Sequence, residues 1–208
     1  MKRTPLLMLV LAVAAFVSSC AEPPQADIDA AQASVKAAEQ AEAPKYASAE
    51  YQALQDSIRA ISTELEVQKN KFALFRSYDR VKQTALATKS NAEHVATLAR
   101  ENKAKAKAEA ETALNEAKAA VTAAKEALDT APVGKDNKAD IAQMKSDIAG
   151  IEAQVPGVES AISSEDFFGA KDKAVAIKSS ADNVKSQVDA AIAKYQEKHP
   201  KWKPKVKK

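Results

Sequence analysis

Residues 78–99 read YDRVKQTALATKSNAEHVATLA, and Tyr78, Val81, Ala85, Thr88, Ala92, Val95 and Ala99 recur in steps of 3, 4, 3, 4, 3 and 4. That rhythm is the a/d stripe of an α-helix meeting a neighbour along a narrow seam. Most seam residues are small, so the helices they join approach closely and bury little area per residue. Ser77 is a reasonable cap for this helix, and Asp79 places a negative charge in its first turn, where the macrodipole favours one.

Working outward, the same rhythm appears on both sides. Upstream, a helix opening near Ala47 or Ser48, with Ser48 as N-cap, carries Leu54, Ile58, Ile61 and Leu65, with Phe72 and Phe75 extending its seam before a turn at residues 75–77. Before it, a helix over about Asp27 to Glu42 places Ile28, Ala31, Val35 and Ala38 on one face, and Pro44 breaks it. Downstream, the long helix is expected to run from Tyr78 to Asp129, on the order of 75 to 80 Å at about 1.5 Å per residue. Its second half shows Leu114, Ala117, Val121, Ala124 and Leu128, but the Lys-Ala alternation over residues 103–108 shifts the phase, so the two halves face different partners. Glu101 with Lys105 and Lys107 with Glu111 are i,i+4 pairs that support helix there, with a hinge as the rival reading.

Pro132-Val133-Gly134 ends that helix. A fourth carries Ile141, Met144, Ile148, Ile151, Val155, Val158 and Ile162, with a kink expected at Pro156-Gly157. A fifth, opened by Ser163 or Ser164, carries Phe167, Ala170, Ala174, Ile177, Ala181, Val184, Val188, Ala191 and Tyr195. The sequence repeats itself: Leu54, Ile58, Ile61 and Leu65 match Met144, Ile148, Ile151 and Val155 at an offset of 90, and residues 89–95 match 178–184 at 89. The expected fold is all-α, an elongated coiled-coil-like bundle of two repeated antiparallel hairpins joined by one long helix. Composition agrees: 46 of the 208 residues are alanine and only four are glycine, which suits long helices and no sheet.

The chain opens differently. Lys2 and Arg3 precede an apolar run over Leu6 to Val17, too short for a permanent span, which closes on Val17-Ser18-Ser19-Cys20. This resembles the bacterial lipobox. The resemblance implies that residues 1–19 are a signal peptide cut away by the lipoprotein signal peptidase, and that Cys20 carries a diacylglyceryl thioether on a usually acylated amino terminus. Two or three chains, at about 0.8 kcal/mol per buried CH₂, anchor a protein stably. Cys20 is also the single cysteine of the chain, so no internal disulfide competes for it. Residues 20–25 form the tether, and in a Gram-negative host Ala21, where an aspartate would favour retention in the inner membrane, points to the outer membrane facing the periplasm.

The remaining divisions are a first helical unit over 26–130, a second hairpin over 131–197 and a basic tail over 198–208. From Glu197 to Lys208 there are six lysines and one glutamate, about +5. The whole chain is +3; removing Lys2 and Arg3 leaves +1, so the rest of the mature chain is near −4. Lys198, Lys201, Trp202, Lys203, Lys205, Lys207 and Lys208 are the candidate contacts to an anionic surface, such as lipid phosphate or peptidoglycan. A single tryptophan among lysines is weak support for nucleic acid.

Tyr46-Ala47-Ser48 and Ser77-Tyr78-Asp79 resemble motifs of a family of alanine-rich bacterial lipoproteins with a helical domain of unknown function. The resemblance covers roughly residues 26–99 and implies a helical hairpin after a short alanine-rich helix, with no assigned activity. No catalytic residue, metal set or cofactor site is read from the sequence: His94 and His199 lie far apart, His94 beside Glu93 reads as a solvated or half-buried helical residue, and four scattered glycines make no phosphate loop. Nothing in the pattern converges on a concave pocket. The expectation is a non-enzymatic, lipid-anchored scaffold or spacer of the cell envelope whose seams allow homo-oligomerisation. The alternative is a cell-wall tether. Lipid at one end and Lys207-Lys208 at the other resemble the Braun-type murein lipoprotein, although this chain is longer and folds back. A buried pocket with convergent polar groups would point instead to a ligand-binding or hydrolytic lipoprotein.

Overall fold

In the computed structural model, residues 22–134 and 137–202 are described, and among them all regular structure is helical, with no strand. The helices are α1 (Gln25–Gln40), α2 (Ala43–Tyr46), α3 (Ser48–Lys69), α4 (Asp79–Thr130), α5 (Lys138–Glu152), α6 (Val155–Ser163) and α7 (Phe167–Lys198), with a 3₁₀ turn at Ala73–Phe75. Contacts divide the chain into two compact units, meeting within α4 between Asn102 and Lys103. The helix runs through that point without a break. Ala106 and Ala110 are buried there, which gives the lysine-rich segment a packed face.

In the first unit, α1 starts directly after Pro23-Pro24, which lack the N–H groups a helix interior would need, and has Asp27 in its first turn. It buries Ile28, Ala31, Val35 and Ala38, the four residues its spacing singled out. Glu42 takes a left-handed backbone (φ 60°) to separate α1 from α2, where Pro44 occupies the first turn. Ser48 begins α3 as its first helical residue, not as its cap: the capping position is Ala47, with no side-chain hydrogen bond. Ile28, Ala31, Ile61, Tyr78, Val81 and Ala85 form one buried cluster, with Ile58 and Leu65 packed against it. The first turn of α1, the last turns of α3 and the first turns of α4 therefore lie together at one end of the unit. At the other end Asn102 donates from Nδ2 to the Tyr46 carbonyl at 2.7 Å.

The α3–α4 connection departs from expectation. Phe72 and Phe75 do not extend the seam; they are 68% and 75% exposed. The helix stops at Lys69, one turn too early to carry them, and the seam ends instead on Gln68, 4% exposed. A buried amide needs partners. Gln68 has them, donating to Glu64 at 2.7 Å and accepting from the Ser77 N–H at 3.1 Å, which closes the connection. Arg76 donates to the Lys69 and Lys71 carbonyls at 3.0 and 3.1 Å, satisfying acceptors that a helix C-terminus leaves open. Ser77 accepts weakly from the Asp79 N–H at 3.5 Å.

In the second unit, α5 and α6 both pack on α7. The expected kink at Pro156-Gly157 is a break between Glu152 and Val155, with Pro156 in the first turn of α6, where its missing N–H costs nothing. The two linking residues stay near helical geometry, so Ile148, Ile151, Val155 and Val158 remain buried in phase across the break. The seam then passes to Ala161, leaving Ile162 half-buried. Ser163 and Ser164 do not open the last helix. Glu165 is left-handed (φ 60°), and Asp166 is the cap, accepting from the Gly169 N–H at 3.3 Å.

Ion pairs join the second part of α4 to its neighbours. Lys125, Lys118 and Lys103 meet Glu152, Glu159 and Glu165 at 2.8, 2.6 and 2.7 Å, one series falling as the other rises. Glu109 and Glu116 meet Lys171 and Lys178 at 2.8 and 3.8 Å, both series rising together. The Lys171 ammonium, by hydrogen bond and charge, holds Glu109 below the usual carboxylate range, and Glu109 raises Lys171 in turn.

The repeat is visible in the burial. Tyr78, Val81, Ala85, Thr88, Ala92, Val95 and Ala99 are all buried in the first unit. Their counterparts 89 residues on, Phe167, Ala170, Ala174, Ile177, Ala181, Val184 and Val188, are all buried in the second. Thr88 keeps its place in an apolar stripe by donating from Oγ1 to the Thr84 carbonyl at 2.8 Å.

Candidate functional site

The end of α7 holds a concavity that the spacing of the sequence did not announce. The Pro132–Gly134 stop is folded over by Asn137, which donates to the Pro132 carbonyl and accepts from the Gly134 N–H, both at 2.7 Å. Tyr195 lies so close to Gly134 that a Cβ there would sit 3.2 Å from its ring. Between loop and helix is a cavity of about 360 Å³ lined by Gly134, Asn137, Asp140, Lys194, Tyr195, Lys198 and His199, with Ala191. An asparagine soon after a Pro-Val-Gly stop is the one signal in the sequence from which this loop could be suspected, and the seam pattern does not use it.

The chain leaving α7 turns back on this cavity. The Trp202 N–H donates to the His199 carbonyl at 2.9 Å. The His199 ring lies against Tyr195 at a centroid distance of 4.3 Å, and Trp202 meets Tyr195 edge-on at 5.6 Å. Trp202 is thereby half-buried, while Lys198 and Lys201 are exposed beside it. Of the candidate anionic-surface contacts, Trp202 belongs to this aromatic cluster, Lys198 lines the cavity, and Lys201 is exposed next to Trp202 in the chain. Lys203, Lys205, Lys207 and Lys208, the signal segment and Cys20 lie outside the described residues.

Such a site offers two ammonium groups, an imidazole, a phenol, an amide and the Asp140 carboxylate around a half-open space, a mixed set of donors and acceptors suited to a polar group such as a carbohydrate. His94 is exposed on α4 and joins no cluster. Among the described residues no group of three His, Cys, Asp or Glu side chains is placed to hold a metal, and no helix is long and apolar enough to cross a membrane. No protein-family model, curated protein or solved structure matches the chain.

Proposed function

We propose that this chain is a lipid-anchored, non-enzymatic protein of the cell envelope that acts as a helical scaffold or spacer, facing the periplasm from the outer membrane and akin to the alanine-rich lipoproteins it resembles. The observation that carries the reading is the adjacency of anchor and fold. Cys20, the single cysteine, closes a lipobox, and only residues 21–24 separate it from α1, whose first turn already supplies Ile28 to a core. The finer architecture belongs to the same proposal: each unit is a coiled-coil-like antiparallel hairpin preceded by a further helix, with α4 shared between the two. The opposed numbering of the Lys125–Glu152, Lys118–Glu159 and Lys103–Glu165 pairs supports it. The seams are lined by small residues, and the faces outside them carry the charge through which partners, including a second copy, would be held.

The alternative is a cell-wall tether working through the basic tail, favoured by the exposure of Lys201 and of Lys198, which lines the cavity. Envelope fractionation with and without lysozyme separates the two. Truncation after Glu197 would also remove His199 and Trp202 from Tyr195, so the sharper variant replaces the six tail lysines by glutamine. The scaffold reading expects wild type and variant to leave with detergent alike, and Cys20→Ser to appear in the soluble fraction. Wall-bound wild type and detergent-soluble variant establish the tether. Cys20→Ser remaining with the membrane sinks the lipid anchor.

A further inference from the structure

The connection between α3 and α4 presents Phe72, Leu74 and Phe75 to solvent at 68%, 67% and 75% exposure. Scattered apolar residues on a surface need no explanation, but three within four positions on one tip do. The tip is built rather than slack. Arg76 is tied to the Lys69 and Lys71 carbonyls, Gln68 holds the Ser77 N–H, and Phe75 closes the 3₁₀ turn on the Phe72 carbonyl at 2.9 Å. The two phenyl rings sit 6.3 Å apart. Lys71, next to Phe72 in the chain, is exposed, while Lys69 is paired with Glu66 at 2.8 Å and Arg76 is held by the carbonyls; no acidic residue occurs between Glu66 and Asp79. Outward aromatic and aliphatic groups on a net basic tip that has no carboxylate of its own match a bilayer interface, where the rings enter the acyl boundary and a long basic side chain such as that of Lys71 reaches phosphates.

Position identifies the occupant. Ile28 and Ala31 of α1 share a cluster with Ile61, Tyr78 and Val81, so the start of α1 and the tip occupy the same end of the first unit. Four residues separate Cys20 from Gln25, and five backbone steps of at most about 3.6 Å each keep the Cys20 Cα within roughly 18 Å of the helix start. We infer that the Phe72–Phe75 tip is a second membrane contact, inserting into an anionic lipid interface beside the acyl chains of Cys20 and fixing how the first unit stands on the bilayer. This rests on the lipid-anchor reading for its position, and on the tip alone for its chemistry.

The test uses the full mature chain with Cys20→Ser, so that acyl chains do not mask the tip, and vesicles of phosphatidylcholine with or without phosphatidylglycerol. The expected result is binding to the anionic vesicles that weakens between about 0.05 and about 0.5 M salt. Phe72→Ser, Leu74→Ser and Phe75→Ser together reduce it about tenfold or more, and Lys71→Glu several-fold. Because these side chains are exposed, the melting temperature stays put. Phe75→Trp in a Trp202→Phe background shows a blue-shifted emission quenched by brominated lipid. Unchanged binding in the triple variant, or no binding by the parent, overturns the inference. So does a parent that dimerises through the tip without touching vesicles, which makes the tip a self-association surface. Palmitate labelling of wild type and Cys20→Ser separates the two readings: a labelled wild type with an inert tip sinks the tip alone, and an unlabelled one with tip-dependent binding sinks the anchor alone.

Discussion

Ile61→Ala tests the packing of the first unit directly. Ile61 is 2% exposed and lies in the cluster of Ile28, Ala31, Tyr78, Val81 and Ala85. The substitution deletes three carbons, and such truncations cost about 2–5 kcal/mol depending on how far the site collapses. Collapse is restricted here. Ala31 and Ala85, both 0% exposed, have no side chain to extend into the gap, and both are fixed on helix backbones. The expected loss is therefore about 3–4 kcal/mol, and at about 4–8 °C per kcal/mol for a unit of this size the transition falls by roughly 12–30 °C. Scanning calorimetry of the mature chain carrying Cys20→Ser, beside Leu86→Ala at a half-exposed site on α4, supplies the measurement. Ile177→Ala, 3% exposed in the second unit, is the matched control. A fall below about 4 °C for Ile61→Ala would mean that the cluster closes up freely, and the account of an alanine seam with fixed helix backbones would be wrong.

Two further outcomes follow from local geometry. Gly150 lies inside α5 with nothing within 4 Å of an added Cβ, so Gly150→Ala should stabilise by about 0.5–1 kcal/mol in urea titration. Gly169→Ala should not, because its Cβ would stand 2.9 Å from Asp166 Cγ and displace the carboxylate that caps α7, a loss of about 1 kcal/mol that offsets the helix gain. The Glu109–Lys171 pair has its own pH signature. Glu109 is lowered, so its contribution is present above the ordinary carboxylate pKa and lost as pH falls through the lowered value; Lys171 is raised, so its contribution is lost only as pH rises through the raised one. Thermal melts between about pH 5 and pH 2 should show a shallower acid decline for Glu109→Gln than for wild type, and an equal slope would show the pair to be inert.

The seams of α1 and of residues 78–99 and 167–188 could be read from the sequence because a stripe of small residues at steps of 3 and 4 has no other economical explanation. What failed was local. Phe72 and Phe75 were apolar and near the right phase, but a seam holds only while its helix continues, and α3 ends at Lys69. Gln68 holds the last seam position, which no apolar count would find. The start of α7 was misplaced because Glu165 is left-handed without being glycine, so the usual turn letter was missing and Ser163 and Ser164 looked like caps. Through residues 103–108 the helix continues, and Ala106 and Ala110 bury a face that the neighbouring lysines conceal in the sequence. The cavity at α7 depends on a loop held by one asparagine, and its aromatic cluster depends on a turn after Lys198; neither follows from periodicity.

The alanine seam has a consequence beyond packing. Ala31, Ala85, Ala92, Ala99, Ala170, Ala174 and Ala181 are all 0% exposed, and each fills its place through shape alone. A contact written in one letter carries almost no information. Two proteins can share every interhelix spacing of this kind and still align no better than any pair of alanine-rich chains. Kinship among such proteins is recorded in distances between helix axes, and the rare bulky or polar letters, Tyr78, Gln68 and the Phe-Ala-Leu-Phe tip, are the marks by which one could be told from another.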